Sequence, residues 1–82
     1  MAADQRAGEP PYLRIAADLR ARIKRGEFRP GDALPSIARL AQEYDCAKTT
    51  AAKALNVLKR EGVARGVQGW GTLVTDKPLA GD

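Results

Sequence analysis

Residues 36–62, SIARLAQEYDCAKTTAAKALNVLKREG, contain two helical patterns that are separated by a very short turn. In the first pattern Ser36 is a natural N-cap, and helical spacing then relates the apolar residues Ile37, Leu40, Ala41 and Tyr44, which predicts a helix from about 36 to 44. In the second pattern one apolar face is formed by Ala51, Ala54, Leu55 and Leu58, and Gly62 ends the helix. Only residues 45–47 lie between them, so the two helices must cross steeply, as in a helix-turn-helix unit.

The flanking segments complete the predicted architecture. Before this unit, Pro11 begins an amphipathic helix whose apolar stripe is Tyr12, Ile15, Ala16, Leu19 and Ile23. Gly26 ends that helix, and a turn over residues 28–32 leads to a short extended piece around Ala33 and Leu34. After the unit, two β-prone runs around a glycine-rich tip predict a hairpin that packs on the third helix, with Leu34 near its edge. The expected fold is α+β, mainly α: a winged helix-turn-helix in the order α-β-α-α-β-β.

Composition excludes most enzyme classes. The 82 residues carry a net charge of +4, no histidine and one cysteine. The chain therefore has no Ser-His-Asp or Cys-His pair, no histidine-rich or cysteine-rich metal site and no internal disulfide, so we expect neither catalysis nor a cofactor nor a metal. The chain has no secretory h-region and no membrane-spanning run, so we expect a cytoplasmic, nucleoid-associated protein.

The chain is expected to hold one domain with two short tails. Residues 1–9 are polar, lack periodicity and end at the Pro10-Pro11 pair, so they are predicted to be disordered. Residues 77–82 have the same character. The predicted domain therefore spans residues 10–76.

The third helix is predicted to have a basic outer face. A helical projection places on it Lys48, Thr49, Ala52, Lys53, Asn56, Lys59 and Arg60, with no carboxylate among them. Residues 46–75 contain five basic residues and one acidic residue, a net charge of +4. Such a face attracts a phosphate backbone, and threonine, asparagine and lysine can also read base edges. An ordinary solvated helix face would have a similar composition, so both interpretations stay open.

The residues of the wing tip have alternative roles. Trp70, between two glycines, either folds back onto the domain or contacts a nucleic-acid groove, and Gln68 beside it is either a minor-groove donor or a surface residue without a role. Tyr12 and Tyr44 lie on apolar faces and are expected in the core. Cys46 is expected to be a small buried hydrophobe.

Several blocks of the chain resemble the N-terminal DNA-binding domain of GntR-type bacterial transcriptional regulators. The resemblance covers residues 11–75 and is carried by residues 11–16 (PYLRIA), 26–36 (GEFRPGDALPS), 40–41 (LA), 49–50 (TT), 54–55 (AL), 58 (L), 61–62 (EG) and 69–74 (GWGTLV). The G-E-x-x-P-G-D-x-L-P-S block and the closing G-x-G-T-x-V are spaced as in that family, which makes the match much more specific than a single motif.

The resemblance implies a DNA-binding mode. The third helix, about 48–61, would enter the major groove, the wing tip at 68–71 would lie at the minor groove, and the start of the second helix would meet the backbone. By position, the resemblance carries over to Lys48, Thr49, Thr50, Gln68 and Gly69. Taken together with the winged-helix order and the basic face of the third helix, the predicted DNA-binding residues are Ser36, Arg39, Lys48, Thr49, Thr50, Ala52, Lys53, Gln68, Gly69 and Trp70. The chain departs from the family pattern at Ala38, Ala47, Ala51, Ala52 and Trp70. At Ala47 the usual serine or threonine, an N-cap and phosphate donor, is missing.

The sequence therefore predicts a sequence-specific double-stranded DNA-binding regulator whose partner is an operator. One such domain reads one half-site, so two copies, a possible homodimer, would be needed on a palindrome. Family members continue into an effector-binding domain, whereas this chain ends at Asp82, so we expect no small-molecule effector to bind it. The alternative is a winged helix that docks on a protein partner through the same helix or through Trp70.

Overall fold

The computed structural model describes residues 10–76, which form three α-helices and a two-stranded antiparallel sheet. In chain order, these elements are α1 (Pro11–Lys24), α2 (Ile37–Glu43), α3 (Lys48–Arg60), β1 (Ala64–Val67) and β2 (Gly71–Val74). The predicted mainly helical winged helix-turn-helix is confirmed. The tails predicted at residues 1–9 and 77–82 lie outside the described residues.

The hairpin is supported by the chain segment that precedes α2. β1 and β2 pair in register from Ala64 opposite Val74 to Val67 opposite Gly71. On the other side of β2, the predicted extended piece forms a single bridge, Ala33 to Leu73, instead of a full strand. Three backbone hydrogen bonds of 2.8–2.9 Å reinforce this bridge and join residues 31, 32 and 34 to residues 72 and 74. A two-stranded hairpin is only marginally stable by itself. These bonds hold one edge of β2, and β1 holds the other, so β2 is fixed on both sides.

All three helices end in the same backbone arrangement. The residue after each cap has a positive φ: Gly26 at 88°, Asp45 at 52° and Gly62 at 80°. After α2, the Cys46 N–H donates to Ala41 O at 2.9 Å and the Asp45 N–H to Gln42 O at 3.4 Å, which is a Schellman motif. Glycine ends α1 and α3 as predicted. Aspartate takes the same conformation after α2 because its short polar side chain tolerates it, and it sets the tight turn before α3.

The core is built around α3, which packs on α1, α2 and β1. Its buried face is the predicted one, Ala51, Ala54, Leu55 and Leu58. The core is completed by residues from the other elements, chiefly Ile15, Ala16, Leu19, Leu34, Leu40, Ala64 and Val74. Two of the α3 side chains are alanines with no exposed surface, so neighbouring elements approach this helix closely. The opposite face of α3 is left to solvent.

The expected apolar positions are buried or half-buried, with one exception. Tyr12 and Tyr44 are half-buried and pack against the core, as predicted. Cys46, which was expected to be buried, is half-buried against the same core. Ile37 is 40% exposed, although its spacing assigned it to the apolar face of α2. Ile37 is the first residue of that helix and lies about one turn before the fully buried Leu40, at the N-terminal end of α2. Within residues 10–76 no helix is long and apolar enough to cross a membrane.

Candidate nucleic-acid interface

The outer face of α3 carries the side chains that the sequence placed there. Lys48, Thr49 and Lys53 are exposed, and Ala52 between them is half-buried. Asn56, Lys59 and Arg60 extend the exposed face toward the end of the helix. A methyl group at Gly66 would lie 3.4 Å from the Lys59 ammonium nitrogen, so this lysine reaches over β1 and joins the helix face to the wing.

The charges of the domain are segregated. Arg20 and Arg22 of α1 and the residue that caps its end, Arg25, pair with carboxylates. Arg20 pairs with Glu61 at 2.9 Å, and Arg22 and Arg25 both pair with Glu27, at 2.7 and 3.0 Å. By contrast, the four cations of α3, Lys48, Lys53, Lys59 and Arg60, form no ion pair within residues 10–76. Their positive potential is therefore available to an external anion along one side of the molecule.

The start of α2 lies beside the start of α3. Ser36 caps α2, its Oγ accepting the Arg39 N–H at 3.1 Å. One open groove between the two helices is lined by Ser36, Arg39 and Lys48, so the structure brings these three predicted residues together. Asp45 lies in the same groove and places one negative charge near the lysine.

The start of α3 has no side-chain cap. Ala47 occupies the N-cap position with φ −69° and ψ 152°, and the first α-helical hydrogen bond is donated by the Ala51 N–H to Ala47 O at 3.1 Å. The N–H groups of residues 48–50 precede that bond and point out of the helix end. The missing serine or threonine therefore has the structural consequence that the sequence predicted.

Two of the predicted positions have different surroundings from those expected. Thr50 is half-buried and lines a groove between α1 and the turn, together with Arg14 and Cys46, so it lies beside the exposed face of α3 and not at its centre. The Lys53 ammonium lies 5.7 Å from the centre of the Tyr12 ring. From its spacing, this tyrosine was predicted only to belong to the core. No local pattern could relate it to Lys53, because the two residues belong to different helices.

The wing tip presents its tryptophan to solvent. Trp70 is 74% exposed, so of the two alternatives the structure shows the indole turned outward and not folded back. Gln68 and Gly69 are exposed beside it, and the Trp70 N–H closes the turn by donating to Val67 O at 2.9 Å.

A polar cluster joins the end of α2 to α1. The Tyr44 hydroxyl donates to Asp18 and accepts a hydrogen bond of 3.1 Å from Arg22. Burial, together with the hydrogen bond to Asp18, raises the pKa of Tyr44. The Arg22 guanidinium also lies 5.0 Å from the centre of the Phe28 ring. These contacts hold the end of α2, where the turn to α3 begins, against α1.

Comparison with known proteins identifies the family of this fold. The sequence matches the family described as "Bacterial regulatory proteins, gntR family" over residues 11–74. The mannosyl-D-glycerate transport/metabolism system repressor MngR of Escherichia coli (strain K12) is 38% identical over 69 residues, which are 84% of this chain and 29% of the repressor. The HTH-type transcriptional repressor YtrA of Bacillus subtilis (strain 168) is 33% identical over 73 residues, which are 89% of this chain and 56% of that protein.

A solved structure extends the likeness to a DNA complex. The AraR DNA-binding domain in complex with an operator superimposes with a TM-score of 0.77 at 29% identity, over 80% of each chain. The present chain spans less than two thirds of the length of the two curated relatives. The family match and the winged helix-turn-helix agree, and the chain belongs to the gntR family of bacterial transcriptional regulators.

Proposed function

We propose that this chain binds double-stranded DNA sequence-specifically as a transcriptional regulator, with α3 in the major groove and the wing tip at the minor groove. The observation that carries the proposal is the row of α3 cations that no carboxylate of residues 10–76 neutralises. The major groove of B-DNA, about 12 Å wide, admits an α-helix, and the polar side chains between the lysines can read base edges there.

Each predicted residue has a place in this binding mode. Lys48, Thr49 and Lys53 face the groove directly, and Thr50 at their side meets the backbone. Ala52 between them offers a methyl group, which suits the methyl group of thymine. The start of α2 approaches the phosphate backbone, and the wing reaches the next groove. The complete proposed set is Ser36, Arg39, Lys48, Thr49, Thr50, Ala52, Lys53, Gln68, Gly69 and Trp70.

The proposal extends to the partner and to the setting. An operator is the expected ligand, supported by the operator complex of the structurally similar AraR domain. Residues 10–76 form the binding domain between two short tails, and two copies side by side would occupy a palindrome. The chain would act at the cytoplasmic nucleoid by binding, without catalysis, and without a small-molecule effector bound to these residues.

The test is fluorescence anisotropy of a labelled mixed-sequence duplex, titrated with protein at several salt concentrations. The logarithm of the association constant should fall linearly with the logarithm of salt concentration, with a slope of about −0.9 for each neutralised phosphate. Lys48→Ala should weaken binding and make the slope shallower by about 0.9. Arg25→Ala is the matched control, because it removes the same charge from an arginine that already pairs with Glu27.

The outcomes separate DNA binding from the other function that the sequence left open. Binding that falls steeply with salt and depends on Lys48 supports the proposal and justifies selecting the preferred site from a random pool. Absence of binding at low salt, or equal slopes for Lys48→Ala and wild type, would contradict it. The exposed Trp70 would then favour the docking of a protein partner on the wing.

A further inference from the structure

We propose that Trp70 gives the wing an apolar, salt-independent contact with the DNA groove, unlike the charge-dependent contact made by α3. This inference rests on the proposed DNA binding and specifies the chemistry by which one part of the site works. Among residues 10–76, the large hydrophobic side chains classed as exposed are Ile37 and Trp70, and Trp70 is the more exposed of the two, 74% against 40%. Tryptophan is enriched at interfaces, because its large ring can be buried there while its N–H finds a polar partner.

The wing carries the indole on a well-supported base. Residues 68–70 form the tip between paired strands, with Val67 directly opposite Gly71. Gly69 and Gly71, with φ of 86° and 89°, flank the tryptophan, and the Trp70 N–H bonds to Val67 O. The second strand is held from its other side by the segment before α2. The indole therefore projects from a tip whose backbone is fixed at both ends.

The surroundings of Trp70 favour DNA over a purely structural role. Within residues 10–76 no cation lies over its ring, because the two cation–ring contacts there involve Phe28 and Tyr12. Gln68, next to the tip, is exposed and neutral, and Arg65 and Lys59 lie at the base of the wing. The wing thus has an apolar side chain at its tip and positively charged side chains at its base. The base attracts the backbone, and an apolar side chain can then contact sugar walls or wedge at a base step in the minor groove.

Because the Trp70 side chain is neutral, the salt dependence of binding distinguishes its contact from those of the lysines. A neutral side chain releases no condensed counterion, so its loss should lower affinity equally at every salt concentration. We expect Trp70→Ala to bind the duplex that wild type selects from a random pool about tenfold more weakly, with an unchanged salt slope. Trp70→Phe should recover most of that loss. Trp70→Lys should make the slope steeper by about 0.9, whereas Lys48→Ala makes it shallower.

Trp70 is also the sole tryptophan of the chain, so its emission reports directly on the wing. Titration of wild type with the selected duplex should change the emission at the same DNA concentrations that change the anisotropy. Thermal unfolding of Trp70→Ala should match wild type, because the substitution removes an exposed side chain at a loop tip.

Three results of the measurements with the selected duplex would overturn the inference. They are equal affinities of Trp70→Ala and wild type, a salt slope that becomes shallower in Trp70→Ala, and emission that does not respond to DNA. Emission that changes with protein concentration in the absence of DNA would instead assign Trp70 to contact between copies of the chain. Failure of wild type to bind any duplex overturns the proposed function as well, whereas binding that Trp70→Ala retains in full overturns this inference alone.

Discussion

The uncapped start of α3 can be repaired by one substitution, and the expected gain follows from the capped start of α2. Ser36 and Ala47 hold the same N-cap position with almost the same backbone, φ −66° and ψ 165° against φ −69° and ψ 152°. A serine at 47 would therefore place its Oγ where the Thr50 N–H can donate to it, as the Arg39 N–H does to Ser36 at 3.1 Å. Ala47 is exposed, so the added hydroxyl displaces no packed atom.

Ala47→Ser should raise the free energy of unfolding by about 1 kcal/mol, the usual value of such a cap. In a domain of this size that corresponds to an increase in Tm of about 4–8 °C. Ser36→Ala should lower both quantities by similar amounts, because it removes the equivalent bond from α2. One substitution adds an N-cap hydrogen bond and the other removes one, and both test whether the two helices begin with the same backbone conformation.

Thermal unfolding followed by circular dichroism measures the effect, and urea unfolding with an unchanged m value confirms that stability alone has changed. Ala17→Ser is the matched control. It makes the same chemical change at an exposed position within α1, where no free N–H is available, and it should be slightly destabilising. If Ala47→Ser left Tm unchanged while Ser36→Ala lowered it, the start of α3 would not hold the cap conformation in solution, and the reasoning would be wrong.

Three further substitutions test contacts that support the interface. Arg22→Ala should lower the free energy of unfolding, measured by urea titration, by about 2 kcal/mol. It removes the hydrogen bond to Tyr44, the contact with the Phe28 ring and a partly screened ion pair with Glu27. A loss under about 0.5 kcal/mol would contradict this expectation. The hydrogen bond from Arg22 lowers the pKa of Glu27, so its stabilisation is present above the ordinary pKa and is lost as the pH falls. Glu27→Gln should therefore make Tm less sensitive to acid below about pH 4.5, and parallel curves would argue against it. Gly71→Ala should cost about 1–2 kcal/mol, measured by thermal unfolding, because φ there is 89° although space for a methyl group is available.

Local patterns predicted most of the fold correctly because the determinants of each helix lie within a few residues of one another. The apolar face of α3, the Ser36 cap and the glycines after α1 and α3 could all be identified from spacing and residue type. Ile37 shows the limit of that approach. Helical spacing relates it to Leu40, yet it lies at the open end of α2, where no neighbouring element covers it.

The candidate site was predicted less completely than the fold. The residues on the outer face of α3 followed from periodicity. The contact between Lys53 and Tyr12, the groove shared by Ser36 and Lys48, and the position of Thr50 toward α1 all arise between elements. These juxtapositions depend on the crossing angles of helices, which no local spacing encodes.

Sequence pattern alone predicted the positions of the helices and of the hairpin and the side chains that share a face, because both depend on local hydrogen bonding and on the period of the backbone. It also determined the excess of positive charge on the segment from residue 46 to 75. Packing between distant elements accounts for two further outcomes: Arg20 pairs with Glu61 while the α3 cations form no ion pair within residues 10–76, and Trp70 faces solvent. Both outcomes depend on how elements distant in the chain pack together, because that packing determines which polar groups meet and which apolar surfaces are covered.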